Sequence, residues 1–257
     1  MINPFAPIGR ATIAFCAEIG RFSAFTGRAA AAIVSPPLFI GQFLRQCLQI
    51  GYYSLPVIGI TAVFIGAALA LNIYVGGARF NAEQFVPNIV VLGITRELGP
   101  VLAGLMLAGR VSAGIAAEIG TMRVTEQIDA MTTLSTDPFR YLIGPRVLAA
   151  TLTLPILVLA ADIIGVMGGY LVSTSSLGFN GAAYLRNTFN FMEPQDVGLG
   201  LMKAAVFGFI IASVGAYQGY RSNGGALGVG RATTNAVVVA IVLILAVNYL
   251  ITAFFVE

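Results

Sequence analysis

The sequence contains no histidine and no tryptophan, and it has only two cysteines and a single lysine. Without an imidazole, the chain cannot form His-based metal sites or the Ser–His and Cys–His pairs of nucleophilic enzymes. Cys16 and Cys47 are far apart and form no CxxC pair, which favours unpaired thiols in apolar surroundings. Lys203 lies outside any GxxxxGK[ST] phosphate loop. We therefore expect a non-catalytic chain with no metal and no cofactor of its own.

Charge is also scarce. Only 10% of the 257 residues are charged, 58% are hydrophobic, and the mean hydropathy is +0.89. A soluble domain carries about 25% charged residues, so this composition predicts an integral membrane protein. The net charge of +3 does not indicate a nucleic-acid partner, because the arginines cluster beside apolar segments, as in the cytoplasmic loops of membrane proteins.

Five apolar segments are long enough to cross a bilayer, since about 20 helical residues span a hydrocarbon core of about 30 Å. They cover residues 52–75, 85–108, 147–172, 197–219 and 236–256. The sequence therefore predicts an all-α integral membrane protein with a transmembrane domain over residues 52–257. Glycines at helical spacing in the first and third segments, among them Gly59, Gly66, Gly165 and Gly168, predict close helix contacts.

Residues 1–51 have a different pattern. Arg10, Arg21, Arg28 and Arg45 are spread through them, and Glu18 is the one acidic residue. Apolar residues lie mostly on other faces of the predicted helix, which indicates a basic amphipathic helix in the membrane interface. A signal peptide is the alternative, but the arginines continue too far along the chain for it.

The arginines also predict the orientation. Segments 1–50, 110–146 and 220–232 hold ten arginines, whereas the opposite loops hold Arg79 and Arg186. By the positive-inside rule, the first set and the N-terminus are cytoplasmic, and five spans place the C-terminus on the far side. The polar segment 173–196 contains interleaved aromatic residues and is predicted to rest on that far membrane surface.

A short amphipathic helix is predicted at about residues 121–133, between the second and third spans. Val124, Ile128 and Met131 share one face, whereas Asp129 lies on the other with Glu126 beside it. Anionic lipid would repel this acidic face, so we expect it to contact a partner protein. A solvated loop helix is the alternative interpretation.

Four charged residues fall inside apolar spans: Arg96, Glu97, Asp162 and Lys203. A bare charge at mid-bilayer costs about 3 kcal/mol on insertion scales. Neighbouring residues point about 100° apart on a helix, so Arg96 and Glu97 are expected to find partners on other helices, and Glu97 is predicted to approach Lys203. These charges either form a structural ion pair or line a transport path. Pro100 predicts a local loosening of the helix that carries them.

Three long motifs carry a resemblance to a known family. RELGPVLAGLMLAGRVSAGIAAEIGTMRVTEQIDAM, DPFRYLIGPRVLA and GVGRATTNAVV resemble the MlaE/YrbE permeases, and the similarity covers nearly the whole chain. The resemblance implies the inner-membrane subunit of an ABC transporter that moves phospholipid to or from a periplasmic MCE carrier and maintains outer-membrane asymmetry. It also implies a homodimer, a cytoplasmic ABC ATPase that binds ATP and Mg, a STAS-domain protein and an MCE hexamer.

The resemblance assigns roles to particular residues. It makes the helix near 121–133 the coupling helix, whose ATPase-coupling residues are Glu126, Gln127, Ile128 and Asp129. It places lipid contacts at the end of the first span, on Leu69, Asn72, Ile73 and Phe80. Some relatives carry a carboxylate where this chain has Asn248, and Asp162 departs from the family pattern.

A proton-coupled secondary transporter is the alternative function. It would use Glu97, Asp162 and Lys203 as its relay. The two halves of the sequence show no clear inverted repeat, which weakens this reading.

Overall fold

A computed structural model describes residues 6–36 and 39–256, and no strand occurs in these ranges. The helices are α1 (Ala6–Val34), α2 (Ile40–Ile50), α3 (Leu55–Ala78), α4 (Val86–Gly93), α5 (Gly99–Leu107), α6 (Ala113–Val124), α7 (Gln127–Thr133), α8 (Gly144–Ser175), α9 (Gly181–Phe191), α10 (Pro194–Tyr220) and α11 (Gly225–Val256). Single 3-10 turns precede α3 (Tyr52–Ser54) and α4 (Glu83–Phe85). Three π-helical turns join α4 to α5 (Ile94–Leu98), join α5 to α6 (Ala108–Ser112) and lead into α8 (Phe139–Ile143).

Five helical columns among the described residues are long and apolar enough to cross a membrane, which confirms the predicted all-α membrane fold. We call them the first to fifth spans: Ile40–Ala78, Glu83–Val124, Phe139–Ser175, Pro194–Tyr220 and Gly225–Phe255.

Three segments that the sequence assigns to loops or to the interface are continuous with spans. The α2 helix leads into α3 without a break, because Gly51 N–H donates to Cys47 O and Leu55 N–H donates to Gly51 O. The boundary predicted at residue 51 therefore falls inside a helical column. Residues 110–124 continue the second span, and the segment 220–232, which the sequence places between the fourth and fifth spans, is helical from Gly225 onward. Apolar length alone does not locate these ends, because helices can extend beyond the hydrocarbon core.

The third and fourth spans form the centre of the bundle. Half of the apolar stretch of each is buried, compared with 22% in the first span and 11% in the fifth. The predicted glycine contacts are confirmed where α3 crosses α8: a Cβ on Gly66 would lie 1.8 Å from Gly165 O, and one on Gly168 would lie 2.4 Å from Val63 O. The first and fifth spans consequently present large apolar faces to lipid or to a partner.

The α1 helix packs against the end of α10 that lies near α7. Tyr217 donates a hydrogen bond of 2.6 Å to Glu18, and Arg221 also pairs with that carboxylate. The Tyr217 hydrogen bond, helped by Arg21 and Arg221, lowers the pKa of Glu18. Phe25 and Ala29 are buried on the inner face of α1. Ile13, Phe15 and Ile19 are exposed on its outer face, where lipid could contact them.

Candidate functional site

The second span changes from α-helix to π-helix where it carries Arg96 and Glu97. Pro100 has no N–H, so it cannot donate to the carbonyl of Arg96 four residues earlier. Gly99 N–H donates five residues back, to Ile94 O. The loosening predicted at Pro100 is therefore a π turn, and the Arg96 carbonyl is available to a side chain from another helix.

That side chain is Lys203, which is fully buried on the fourth span. Its Nζ lies 3.0 Å from Arg96 O, 2.8 Å from Glu97 Oε1 and 2.8 Å from Thr252 Oγ1. An ammonium group has three donors, so all of them are used. The predicted approach of Glu97 to Lys203 is confirmed, and the complete set of acceptors explains how the lysine is tolerated without solvent.

The carboxylate of Glu97 is bound at both oxygens. Thr252 Oγ1 lies 3.0 Å from Oε1, and Asn248 Nδ2 donates to Oε2 at 3.1 Å. Glu97, Lys203, Asn248 and Thr252 thus form one polar cluster that joins the second, fourth and fifth spans. Unlike Lys203, the Glu97 side chain is 35% exposed on the surface of the single chain.

The polar cluster lies in the half of the bundle near α9. Lys203 is nine residues after Pro194, where α10 begins, and this corresponds to a depth of about 14 Å along a helix. Arg96 has a different partner from Glu97, since its guanidinium lies 3.5 Å from Asp196 near the start of α10. Both adjacent charges therefore find partners on another helix, as predicted.

Asp162 stands apart from the polar cluster. In the described part of the chain, no hydrogen bond or salt bridge joins it to Glu97 or Lys203, and its Oδ1 has no partner. The carboxyl instead packs on the backbone directly after the π turn, where a Cβ added to Gly99 would lie 1.9 Å from Oδ1. Among the described residues, Asp162 therefore has no direct polar contact with the other two residues suggested as a proton relay.

The sequence did not reveal an apolar cavity of about 290 Å³ between the second span, the third span and α9. Asp162 and Thr188 line it, and the buried hydroxyl of Thr188 has no hydrogen-bond partner among the described residues. Exposed apolar residues such as Ile163 and Phe189 line its outer side. The alternation of aromatic and polar residues in α9 indicated only a surface helix, not a cavity wall.

The four predicted lipid contacts lie at the α9 end of the first span. Leu69 and Ile73 are half-buried against a small apolar cluster that includes Val86 and Val90. Asn72 is exposed and donates to Ala68 O of its own helix at 2.9 Å. Phe80 is 82% exposed in the following loop. Asn72 and Phe80 thus lie on an open face of the single chain, and their contact with lipid stays a prediction.

The predicted helix over residues 121–133 is divided in two. The α6 helix ends at Val124, Glu126 has a left-handed φ of 58°, and α7 begins at Gln127. Val124 therefore no longer shares a face with Ile128.

The division still places the acidic side chains outward. Ile128 is fully buried and anchors α7, whereas Glu126, Gln127 and Asp129 are exposed. Asp129 pairs with Arg123 at 2.6 Å. We call Glu126, Gln127 and Asp129 the coupling surface.

Comparison with known proteins gives a consistent result. The family model described as "Permease MlaE" matches residues 43–254. A probable ABC transporter permease protein of Rickettsia conorii is 58% identical over 99% of this chain and 98% of its own length. A probable ABC transporter permease protein of Synechocystis is 41% identical over 81% of this chain and 80% of its own. The intermembrane phospholipid transport system permease protein MlaE of Haemophilus influenzae is 31% identical over 98% of this chain and 97% of its own.

Proposed function

Because the chain belongs to the MlaE permease family, we propose that it is the membrane subunit of an ATP-driven phospholipid transporter. The observation that carries this proposal is the match over residues 43–254, which includes the coupling surface and all of the five spans except residues 40–42 and Phe255. The proposed substrate is phospholipid, moved between the inner membrane and a periplasmic MCE carrier, with outer-membrane lipid asymmetry as the result.

The coupling surface is the proposed contact with a cytoplasmic ABC ATPase. It is exposed and acidic, and buried Ile128 fixes it to the bundle. A rigid element of this kind can transmit movement from a partner to the spans. The ATPase would bind ATP and Mg and perform the hydrolysis, and a STAS-domain protein would bind to the ATPase.

Reversing the charge of the coupling surface is expected to release the ATPase. Like charges at a docking interface can cost several kcal/mol, so Glu126→Lys with Asp129→Lys should reduce co-purification of the ATPase about tenfold or more while the chain still inserts. The matched control is Asp129→Asn, which removes the Arg123 salt bridge but not the acidic residue at Glu126. Full recovery of ATPase with the double variant would contradict the coupling role.

A homodimer would cover the outer faces of the first and fifth spans. Exposed apolar side chains crowd these faces, among them Phe64 at 69% and Tyr249 at 72%. The exposure of the Glu97 side chain, which is 35%, supports the same arrangement. A carboxylate at this depth requires a polar cavity rather than lipid. We propose that this cavity lies between two copies and opens to the periplasmic side, beside Asn72 and Phe80.

The proposed orientation places α7 in the cytoplasm and α9 at the periplasmic surface, with the N-terminus inside and the C-terminus outside. The clustering of arginines near α7 supports it. An MCE hexamer would then bind over α9 and the loop that contains Phe80. Phe189 and Phe191 on α9 are 67% and 45% exposed and offer an apolar contact surface.

Transport driven by ATP distinguishes this function from proton coupling. Proteoliposomes that contain the chain and its ATPase should transfer a fluorescent phospholipid to an acceptor MCE protein when ATP is supplied. A pH gradient without ATP should give no transfer. Transfer driven by the gradient alone would overturn the proposal.

Photo-crosslinking should map the lipid path. A photoreactive side chain at Leu69 or Phe80 is expected to capture phospholipid, and the yield should change by about twofold or more during ATP turnover, since a transport cavity alters its contents in each cycle. Ile156 on the third span is 67% exposed and serves as the control for surrounding bulk lipid, with a yield independent of ATP. Fully buried Ile244 should capture little lipid. Equal, ATP-independent yields at Phe80 and Ile156 would exclude the proposed path.

A further inference from the structure

The α2 helix is amphipathic, and part of its polar face packs against the protein: Gln46 is buried and Gln42 is half-buried, whereas Arg45 and Gln49 are exposed. Its apolar residues Ile40, Leu44 and Leu48 are 64%, 56% and 62% exposed. The polar residues Gln42, Arg45, Gln46 and Gln49 recur at helical spacing on another face. Gln42 Nε2 donates to Tyr141 OH and Gln49 Nε2 donates to Glu118 Oε1, both at 2.9 Å. The polar face of α2 therefore lies partly against the protein and partly towards water.

The polar face of α2 encloses a cavity of about 300 Å³ with the end of α6 and the start of the third span. Its charged lining residues are Arg45, Glu118 and Arg146. A neighbouring cavity of about 70 Å³ shares Gln46, Gln49 and Glu118 with it and adds Arg110. Together the two have three guanidinium groups and one carboxylate, so this polar region attracts anions.

Two buried side chains in this region have unused hydrogen-bonding groups. Gln46 is 6% exposed and makes no side-chain hydrogen bond with any described residue. Arg146 is 8% exposed; it donates to Glu118 and to Leu142 O, both at 2.8 Å, but its Nε has no partner in the described part of the chain. Gln46 lines both cavities, so its unpartnered amide is placed to bind a polar ligand there.

We propose that this polar region binds the phosphodiester of a phospholipid headgroup from the cytoplasmic leaflet. Arginine presents several donors in a fixed fork and is well suited to phosphate. The region lies near α7, where the arginines predict the cytoplasm, and the exposed Leu44 and Leu48 on the outer side of α2 provide apolar surface for the acyl chains. A lipid is held through both parts, whereas a free anion is held only by the arginines.

This site is on the opposite membrane face from the cavity proposed between the two copies. Its role as an entry or exit point for transported lipid rests on the proposed function, but binding itself does not. The test is therefore an equilibrium measurement without ATP, so that failed transport and failed binding give separate results.

The chain contains no tryptophan, so one introduced tryptophan reports on one place. Met122 lines the cavity, and Met122→Trp reports on it. Ile13→Trp, on the exposed outer face of α1 and outside both cavities, is the matched control. The full-length protein, with any subunits that co-purify, is placed in nanodiscs of digalactosyldiacylglycerol, a host lipid without phosphate. Phosphatidylcholine with a nitroxide on its headgroup is then added as the quencher in graded amounts.

Half-maximal quenching of Met122→Trp is expected at a mole fraction about tenfold lower than for Ile13→Trp, which corresponds to selective binding. Unlabelled phosphatidylglycerol should reverse it. Adding Arg45→Gln and Gln46→Leu to each tryptophan variant should abolish the difference between the two quenching midpoints. The fold should be retained, because neither side chain makes a hydrogen bond or salt bridge with a described residue. Equal quenching at both positions, or no effect of the double substitution, would overturn the site. Reversal by millimolar inorganic phosphate but not by phosphatidylglycerol would instead show a site for free anions and also overturn it.

Discussion

Glu97→Gln is expected to destabilise the protein more than any other single change to the intramembrane charges. It leaves the ammonium of Lys203, which is 0% exposed, without a counterion. Removing one partner of a buried ion pair costs about 3–5 kcal/mol, because the remaining charge is uncompensated. Glutamine keeps the size of the side chain and one oxygen acceptor, so the loss reports on the charge rather than on packing.

Lys203→Met should lower the free energy of unfolding less than Glu97→Gln does. The carboxylate that remains is 35% exposed and is still bonded to Asn248 and Thr252. Its exposed part can also be solvated in a polar cavity, whereas Lys203 is fully buried and becomes neutral only by losing its proton. Lys203→Ala adds a cavity to this loss and should be worse than Lys203→Met.

The double substitution Glu97→Gln with Lys203→Met should recover much of the stability, because neither charge is then orphaned. The measurement is the free energy of unfolding in mixed micelles for the two single variants and the double variant. We expect the largest loss of unfolding free energy in Glu97→Gln, a smaller loss in Lys203→Met and the smallest loss in the double variant. Additive losses would show that the two side chains do not stabilise each other, despite the 2.8 Å contact.

The sequence predicts the Glu97–Lys203 pair because each residue would otherwise be a lone charge in the hydrocarbon, which leaves few possible partners. It does not predict Asn248 and Thr252 as members of the polar cluster. Their participation depends on how the fifth span is rotated against the second, and uniform apolar composition carries no information on that rotation. Pro100 was the visible signal for the π turn, but the sequence does not show that the freed Arg96 carbonyl would accept from Lys203.

The number of spans was predictable because the bilayer fixes the length of an apolar helix. Helix ends outside the hydrocarbon are not fixed in this way, so residues 110–120 were assigned to a loop and are helical. The break at Glu126 was missed for another reason. A left-handed φ is uncommon for glutamate, and no glycine or proline marks that turn. The contacts of the polar face of α2 also required the structure, since periodicity shows that a face exists but not what it contacts.

Gly66→Ala should destabilise the protein by an amount similar to that of Glu97→Gln, but through helix packing rather than through charge. The added methyl group would lie 1.8 Å from Gly165 O, and the obstacle is backbone rather than a side chain that could rotate away. The first and third spans must then separate along a crossing that also brings Gly168 against Val63. Overpacking costs about 1–3 kcal/mol and occasionally more, and we expect the upper end or beyond because no side-chain rearrangement relieves the clash.

Gly76→Ala is the matched control on the same helix. Nothing lies within 4 Å of a Cβ at Gly76, so the substitution should be neutral or should stabilise α3 by up to about 1 kcal/mol. The two alanine substitutions are chemically identical, and opposite shifts in melting temperature would isolate the helix crossing as the cause. Equal shifts would show that the first span does not depend on this contact. Because α3 also carries Leu69 and Asn72, these two residues should be displaced relative to the polar cluster in any Gly66→Ala protein that still folds. That protein should therefore lose ATP-dependent lipid transfer. The Gly76→Ala protein should retain ATP-dependent lipid transfer.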